Sequence, residues 1–168
     1  MKIPVNLEGR FASDFPVDVI LRDINDGASG LRAVVIRRTM SFAAYVGVQA
    51  EHTLFGLDEL TFPCHWSVTL RDWGGGGLSP LPKEWFWWGW DYGHANDMVE
   101  YYFGEEESLS DETRELREKL TSLMAGPSMF PRKRWTIGEV EEQALDVMMH
   151  LKDALASSEK YAFLLNCR

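Results

Sequence analysis

The feature of this sequence that most constrains its fold is a change of hydrophobic pattern near residue 105. Before it, short runs rich in β-branched and aromatic residues predict strands at 17–23, 31–39, 42–48, 60–70 and 85–92. After it, apolar residues recur at helical spacing. Strands first and helices last predict an α+β domain, with a mostly antiparallel sheet of about four or five strands and two C-terminal helices packed on it. We expect a single domain over 1–168, in which 1–104 is mainly strands and loops and 105–168 is mainly helical.

Capping patterns predict where the two helices begin. Ser108 followed by Asp111 indicates the first helix, which ends at Gly126-Pro127. Thr136 with Glu139 forms a capping box for the second helix. Each helix has an apolar stripe, made of Leu116, Leu120, Leu123 and Met124 in the first and of Val140, Ala144, Val147, Met148, Leu151 and Leu155 in the second. We expect both stripes to pack on the sheet.

Composition excludes several classes of protein. The 168 residues are 45% apolar and 26% charged, so the chain is not mostly disordered. The net charge of −9 disfavours direct binding to nucleic acid and to an anionic membrane. Cys64 and Cys167 lie far apart, and neither a signal-peptide core nor a membrane-spanning stretch is evident. We therefore expect a cytoplasmic protein with free thiols.

Three segments, at 44–56, 64–70 and 87–98, concentrate residues that could carry chemistry. Each places a histidine in or just after a predicted strand, whereas His150 lies on the second helix. His, Asp and Glu serve proton transfer and metal ligation, and ligand sites commonly form where strands end in loops. We expect the three segments to converge. The predicted ligand-binding residues are His52, His65, Trp88, Trp90, Asp91, His94 and Asp97.

Each of these residues also has a purely structural interpretation. His52 could be a solvated loop histidine, and His65 could be a satisfied histidine between strands. Asp next to Gly is typical of turns that bind nothing. Trp88 and Trp90 face one side of a strand and Trp85 and Trp87 the other, so at least half of this aromatic cluster belongs to the core. We predict no metal site, because the spacing lacks the His-Glu-x-x-His pattern, and the sequence names no cofactor.

The three segments resemble a family of small uncharacterised proteins of bacteriophages and prophages. The family has a Tyr-Val-Gly-Val segment followed by Gly-His-Pro-Leu-Tyr-Gly, then Val-His-Gly-Gly-Leu-Thr, then aromatic-Gly-Phe-Asp-x-x-His-x-Gly-Asp. Here residues 45–48 and 52–56 match the first, His65 and Thr69 the second, and Gly89, Asp91, His94 and Asp97 the third. The chain departs from the family at Glu51, Thr53, Trp66-Ser67 and Asn96. The resemblance implies a phage accessory gene acting in the host bacterial cytoplasm, with a role against host defence.

Three functions follow as hypotheses. The first is a binding module that holds a small polar ligand, with a nucleotide signal as one candidate, in a His/Asp/Trp pocket. The second is a metal-dependent hydrolase that uses the same His/Asp cluster. The third is an acidic inhibitor of a host protein, based on the acidic segment 100–118. A basic patch at Arg132-Lys133-Arg134 could bind an anion, whereas the glycines at 74–77 lack the Lys and Ser or Thr of a phosphate-binding loop.

Overall fold

The predicted α+β class is confirmed by a computed structural model that describes residues 7–74, 80–102, 108–125 and 132–157. Five strands precede two helices along the chain. The strands are β1 Val19–Asp26, β2 Leu31–Arg37, β3 Phe42–Gln49, β4 Leu70–Trp73 and β5 Trp85–Asp91. The helices are α1 Asp111–Ala125 and α2 Ile137–Leu155.

The strands form one antiparallel sheet in the order β1-β2-β3-β5-β4. Strands β2, β3 and β5 are buried along almost their whole length, as expected for strands in the middle of a covered sheet. Ala43 pairs with Asp91, and Gln49 pairs with Trp85. The loop after β3 and the turn after β5 therefore leave the sheet at opposite ends.

The alternation of the tryptophans in β5 is confirmed, and both of its faces are buried. Trp88 and Trp90 belong to the larger core, where α2 packs across β2 and β3. Trp85 and Trp87 belong to a smaller core on the other face, with Val34, Ile36, Ala43, Tyr45 and Leu81. The whole of the predicted aromatic cluster is therefore structural.

Two glycines make room for this aromatic packing. A Cβ at Gly47 would lie 2.4 Å from the ring of its cross-strand partner Trp87. A Cβ at Gly89 would lie 2.5 Å from the ring of its partner Tyr45. Each glycine thus lets a large ring lie flat across the neighbouring strand.

Helix α2 begins as the sequence predicts. Glu139 N–H donates to Thr136 Oγ1 over 3.3 Å, and Thr136 N–H donates to Glu139 Oε2 over 2.9 Å. The apolar stripe then faces the sheet, with Ile137, Val140, Ala144, Val147, Met148, Leu151 and Ala154 buried. This stripe closes the larger core.

The prediction for the stripe of α1 is wrong. Leu116 is 52% exposed and Leu123 is 74% exposed, so this stripe does not pack on the sheet. The physical reason is the narrowness of its apolar face, since charged residues fill most of the first nine positions of α1. Among the described residues, no helix is long and apolar enough to cross a bilayer.

The strand predicted at 60–70 is also wrong, because pairing begins only at Leu70. Pro63 cannot donate to a strand ladder, and Trp66 has a left-handed backbone with φ of 61°. His65 therefore lies in a bend and not inside a strand. The glycine loop predicted at 74–77 lies outside the described residues except for Gly74.

Candidate functional site

Two loops and one helix entry meet at the end of the sheet where β5 finishes. The turn that follows Asp91 carries His94 and Asp97. The bend at 65–66 reaches the same end, because Thr69 N–H, just before β4, donates to the carbonyl of Gly89 over 2.9 Å. Trp135 arrives from the segment that enters α2. Side chains as far apart in sequence as His65 and Trp135 thus lie together in one small cluster.

Asp97 is the centre of this cluster. Its side chain is only 2% exposed, yet it accepts three hydrogen bonds. Trp135 Nε1–H donates to Oδ1 over 2.7 Å, while His65 Nε2 and the backbone N–H of His94 reach Oδ2 over 2.8 and 2.9 Å. Burial alone raises the pKa of Asp97, but the bonds from Trp135, His65 and His94 outweigh burial and hold this pKa below its ordinary value. The carboxylate is therefore ionised at neutral pH.

His65 is oriented by that carboxylate. An ionised carboxylate can only accept, so His65 Nε2 carries the proton that it shares with Asp97. In the neutral ring this leaves Nδ1 as an acceptor. The ring stacks on Tyr92 at 4.8 Å between centroids and meets the edge of Trp135 at 4.9 Å. The rings and the carboxylate together hold His65 in one orientation.

His94 is placed differently. Its Nδ1 is buried and makes no hydrogen bond with any described residue. It lies 3.4 Å from Asp97 Oδ2 and 3.9 Å from Asp91 Oδ1. A buried nitrogen without a partner is costly, and native structures rarely contain one without a reason. This nitrogen is the unsatisfied atom of the cluster.

Trp66 covers the outer side of His94. The two rings stack at 4.9 Å with an angle of 7° between their planes. Trp66 is nevertheless 58% exposed, so its other face is open to solvent. Its backbone is left-handed, which costs a residue with a Cβ roughly 1–2 kcal/mol. Glycine is the ordinary residue for this conformation.

The structure brings together only part of the predicted site. His65, His94 and Asp97 converge, and Asp91 lies beside them with its Oδ1 accepting from Gly93 N–H over 2.9 Å. Because β3 is about 20 Å long between the two loops, His52 lies at the far end of the sheet.

The other predicted residues have structural partners. His52 Nε2 lies 3.0 Å from the carbonyl oxygen of Ser29, and its Nδ1 accepts from Leu54 N–H over 3.1 Å. His52 thus joins the β1–β2 turn to the loop after β3. Trp88 and Trp90 are fully buried and leave no ring face for a ligand. Trp88 donates to the carbonyl of Leu57, and Trp90 donates to the hydroxyl of Tyr92.

Three aromatic residues of the cluster are missing from the predicted set: Trp66, Tyr92 and Trp135. Trp66 does leave a signal in the sequence, since it directly follows the candidate ligand His65. Tyr92 and Trp135 leave none, because aromatic residues beside strands and helices are ordinary core residues.

The groups around the cluster limit its chemistry. A depression of about 450 Å³ adjoins His65 and is lined also by Cys64, Asp146 and His150. Burial raises the pKa of the Cys64 thiol to about 12, which excludes a thiolate nucleophile at neutral pH.

The predicted basic patch is neutralised by acidic neighbours. Arg134 is paired with Glu100 at 2.5 Å, and Lys133 Nζ with Glu139 at 3.1 Å. Lys133 also lies over the ring of Trp135, with 3.6 Å between Nζ and the centroid. These two cations of the patch are therefore engaged within the fold.

The arrangement can accept a hydrogen bond at His65 and stack a planar group on Trp66. Comparison of the chain with protein-family models, with curated proteins and with solved structures gives no match in any of the three. The geometry of the cluster is thus the basis for a functional assignment.

Proposed function

We propose that this chain is a binding module that holds a small polar ligand with a planar ring against the open face of Trp66. The observation that carries the proposal is the stack of Trp66 on His94, because it leaves a large aromatic face exposed beside a buried polar cluster. Exposed aromatic faces of this kind stack on bases, and nearby imidazoles supply hydrogen bonds. Nucleotides are the first class to test.

Pre-organisation supports the proposal. His65 is held by Asp97 and Tyr92 before any ligand arrives, so little rotamer entropy is lost when it accepts a hydrogen bond. Trp66 is held by its stack and by its unusual backbone. The resemblance to phage and prophage proteins adds the context of an accessory gene, with sequestration of a host signal nucleotide as its use. That context stays a prediction.

The test is binding of AMP, GMP, CMP and UMP to the full chain, first by native mass spectrometry and then by calorimetry. Trp66→Ala is expected to weaken the affinity for the nucleotide by about 5- to 150-fold, the range expected for the loss of one base stack. Trp73→Ala is the matched control, because Trp73 is also exposed but lies on the edge strand β4. Equal effects of the two changes, or no binding by any of the four, would contradict the proposal.

Hydrolysis at the same residues is the alternative, favoured by the Asp97–His65 pair, in which His65 Nδ1 could take a proton. Incubation of the same nucleotides with the full chain, followed by chromatography, detects turnover. Turnover of any of these nucleotides by the full chain would favour the hydrolase over the binding module. The acidic-inhibitor hypothesis depends in part on 105–107, which lie outside the described residues.

A further inference from the structure

We propose that His65, His94 and Asp97 form a binding site for one divalent transition-metal ion of the zinc type. Each residue offers one ligand atom, and the three atoms lie within 4.8 Å of one another. Spacing along the sequence does not suggest this site, because His65 and Asp97 are 32 residues apart. Only the fold brings them together.

Two of the three separations between ligand atoms fit a small cation. Two ligand atoms bound to a tetrahedral zinc ion lie about 3.3 Å apart, given zinc bonds of about 2.0–2.1 Å. The separations of Asp97 Oδ2 from His65 Nε2 and from His94 Nδ1 are 2.8 and 3.4 Å, on either side of that value. Two imidazole nitrogens with one carboxylate oxygen are a donor set for zinc and similar ions, and not for magnesium.

The unsatisfied nitrogen of His94 gives independent support. Nδ1 is buried and lies 3.4 Å from Asp97 Oδ2, yet it makes no hydrogen bond with any residue that the structure describes. A cation between this nitrogen and Asp97 Oδ2 would give it a partner. Coordination by His65 Nε2 requires the ring to carry its proton on Nδ1, a change of tautomer within a neutral ring, so in the metal-bound state Nδ1 would donate a hydrogen bond to the ligand and not accept one.

The surroundings are also those of a metal site. Ligating carboxylates are commonly hydrogen-bonded from outside, and Trp135 Nε1–H already donates to the other oxygen of Asp97. Asp91 lies beside His94 and is 45% exposed, so the outer side of the cluster is negative and open to an ion.

This site would define the ligand class further, and in that respect the inference rests on the proposed function. The nearby cations Lys133 and Arg134 are engaged by Glu139 and Glu100. A bound divalent ion would supply the missing positive charge next to Trp66. The ligand would then carry a phosphate or carboxylate together with its planar ring.

The test is calorimetric titration of the EDTA-treated full chain with Zn²⁺ alone, without nucleotide. We expect one ion per chain, no comparable binding of Mg²⁺, and visible absorption bands of a protein-bound ion when Co²⁺ replaces Zn²⁺. His94→Ala should weaken Zn²⁺ binding by roughly 100-fold or more, since even changes of supporting residues cost roughly 10- to 100-fold. Trp135→Phe, which removes the supporting hydrogen bond and part of the ring packed on His65, should weaken Zn²⁺ binding by roughly 10- to 100-fold.

His52→Gln is the matched control, because His52 lies at the other end of the sheet. Since His94 Nδ1 makes no hydrogen bond within the described part of the chain, His94→Ala should keep the fold and leave the result interpretable. Absence of Zn²⁺ binding, or equal affinity in the His94 and His52 variants, would overturn the metal site. If the full chain binds Zn²⁺ but none of the four nucleotides, the metal site stands and the proposed function alone is overturned.

Discussion

Trp135 donates its indole N–H to Oδ1 of Asp97 over 2.7 Å, although the two residues are 38 positions apart. The bond ties the entry to α2 to the turn after β5. Asp97 also accepts hydrogen bonds from the side chain of His65 and from the backbone N–H of His94. One buried carboxylate therefore joins three segments of the chain. The stability of this end of the sheet and the geometry of the candidate site therefore depend on the same side chain.

Replacing Asp97 by Asn should destabilise the fold by about 2–4 kcal/mol, because the amide group presents a donor to buried donors. Urea unfolding at neutral pH measures the effect. Asp91→Asn in the same turn is the control. Asp91 is exposed and Asn can still accept from Gly93 N–H, so a change within about 0.5 kcal/mol is expected. Similar losses in both variants would contradict the central role of Asp97.

The stability contributed by Asp97 should depend on pH in one direction. Its folded pKa is below the ordinary value of 3.8, so the ionised form stabilises the fold above that value. This contribution is lost as the pH falls below 3.8 and through the lowered pKa. The difference in unfolding free energy between the wild type and Asp97→Asn should therefore shrink between about pH 5 and about pH 3. A difference that stays constant over this range would argue against an ionised Asp97.

The backbone at Trp66 gives a third prediction. Trp66→Gly and Trp66→Ala both remove the stack on His94, but only Gly adopts the left-handed backbone without cost. Gly should therefore be the more stable of the two by about 1 kcal/mol in urea unfolding. If Ala proves equal to Gly, the backbone at this position is not left-handed in solution.

The two glycines of the sheet should not tolerate a methyl group. Gly47→Ala and Gly89→Ala would force their Cβ atoms into the rings of Trp87 and Tyr45, and we expect losses of about 1–3 kcal/mol each. Gly27→Ala is the control, because a Cβ there would meet nothing within 4 Å. Thermal or urea unfolding should show no loss for that variant, and a matching loss would refute the packing argument.

The two helices should differ in what their leucines contribute. Leu151 of α2 is fully buried, so Leu151→Ala should cost about 2–5 kcal/mol. Leu123 of α1 is mostly exposed, so Leu123→Ala should stay within about 0.5 kcal/mol. Urea unfolding compares the two directly. A large loss at Leu123 would show that α1 packs on another part of the chain or on a second copy.

Local pattern was a good guide where it was strong. The runs at 31–39, 42–48 and 85–92 became β2, β3 and β5, and the capping box at Thr136 began α2. The prediction of a strand at 60–70 was wrong, although the apolar residues there alternate as they do in a strand. Pro63 and the left-handed Trp66 prevent strand pairing there, and neither effect appears in a hydrophobic pattern.

For the candidate site, residue chemistry pointed to His65, His94 and Asp97, while Trp88 and Trp90 proved to be core. Which histidines meet depends on strand register, because the pairing of Ala43 with Asp91 sends the loop with His52 to the opposite end of the sheet. The antiparallel pairing of β3 with β5, which follows β4 in the chain, is a long-range contact that no single segment specifies.

The sequence by itself determined the α+β class, the central strands, the start of α2 and the residue types available for a site, since these follow from local propensity and periodicity. The tertiary structure alone decided that Asp97 is buried under Trp135, that His94 Nδ1 has no partner among the described residues, and that Trp66 is exposed. These properties arise from contacts between segments distant in sequence, where burial and hydrogen bonding are set by the packing of the whole domain.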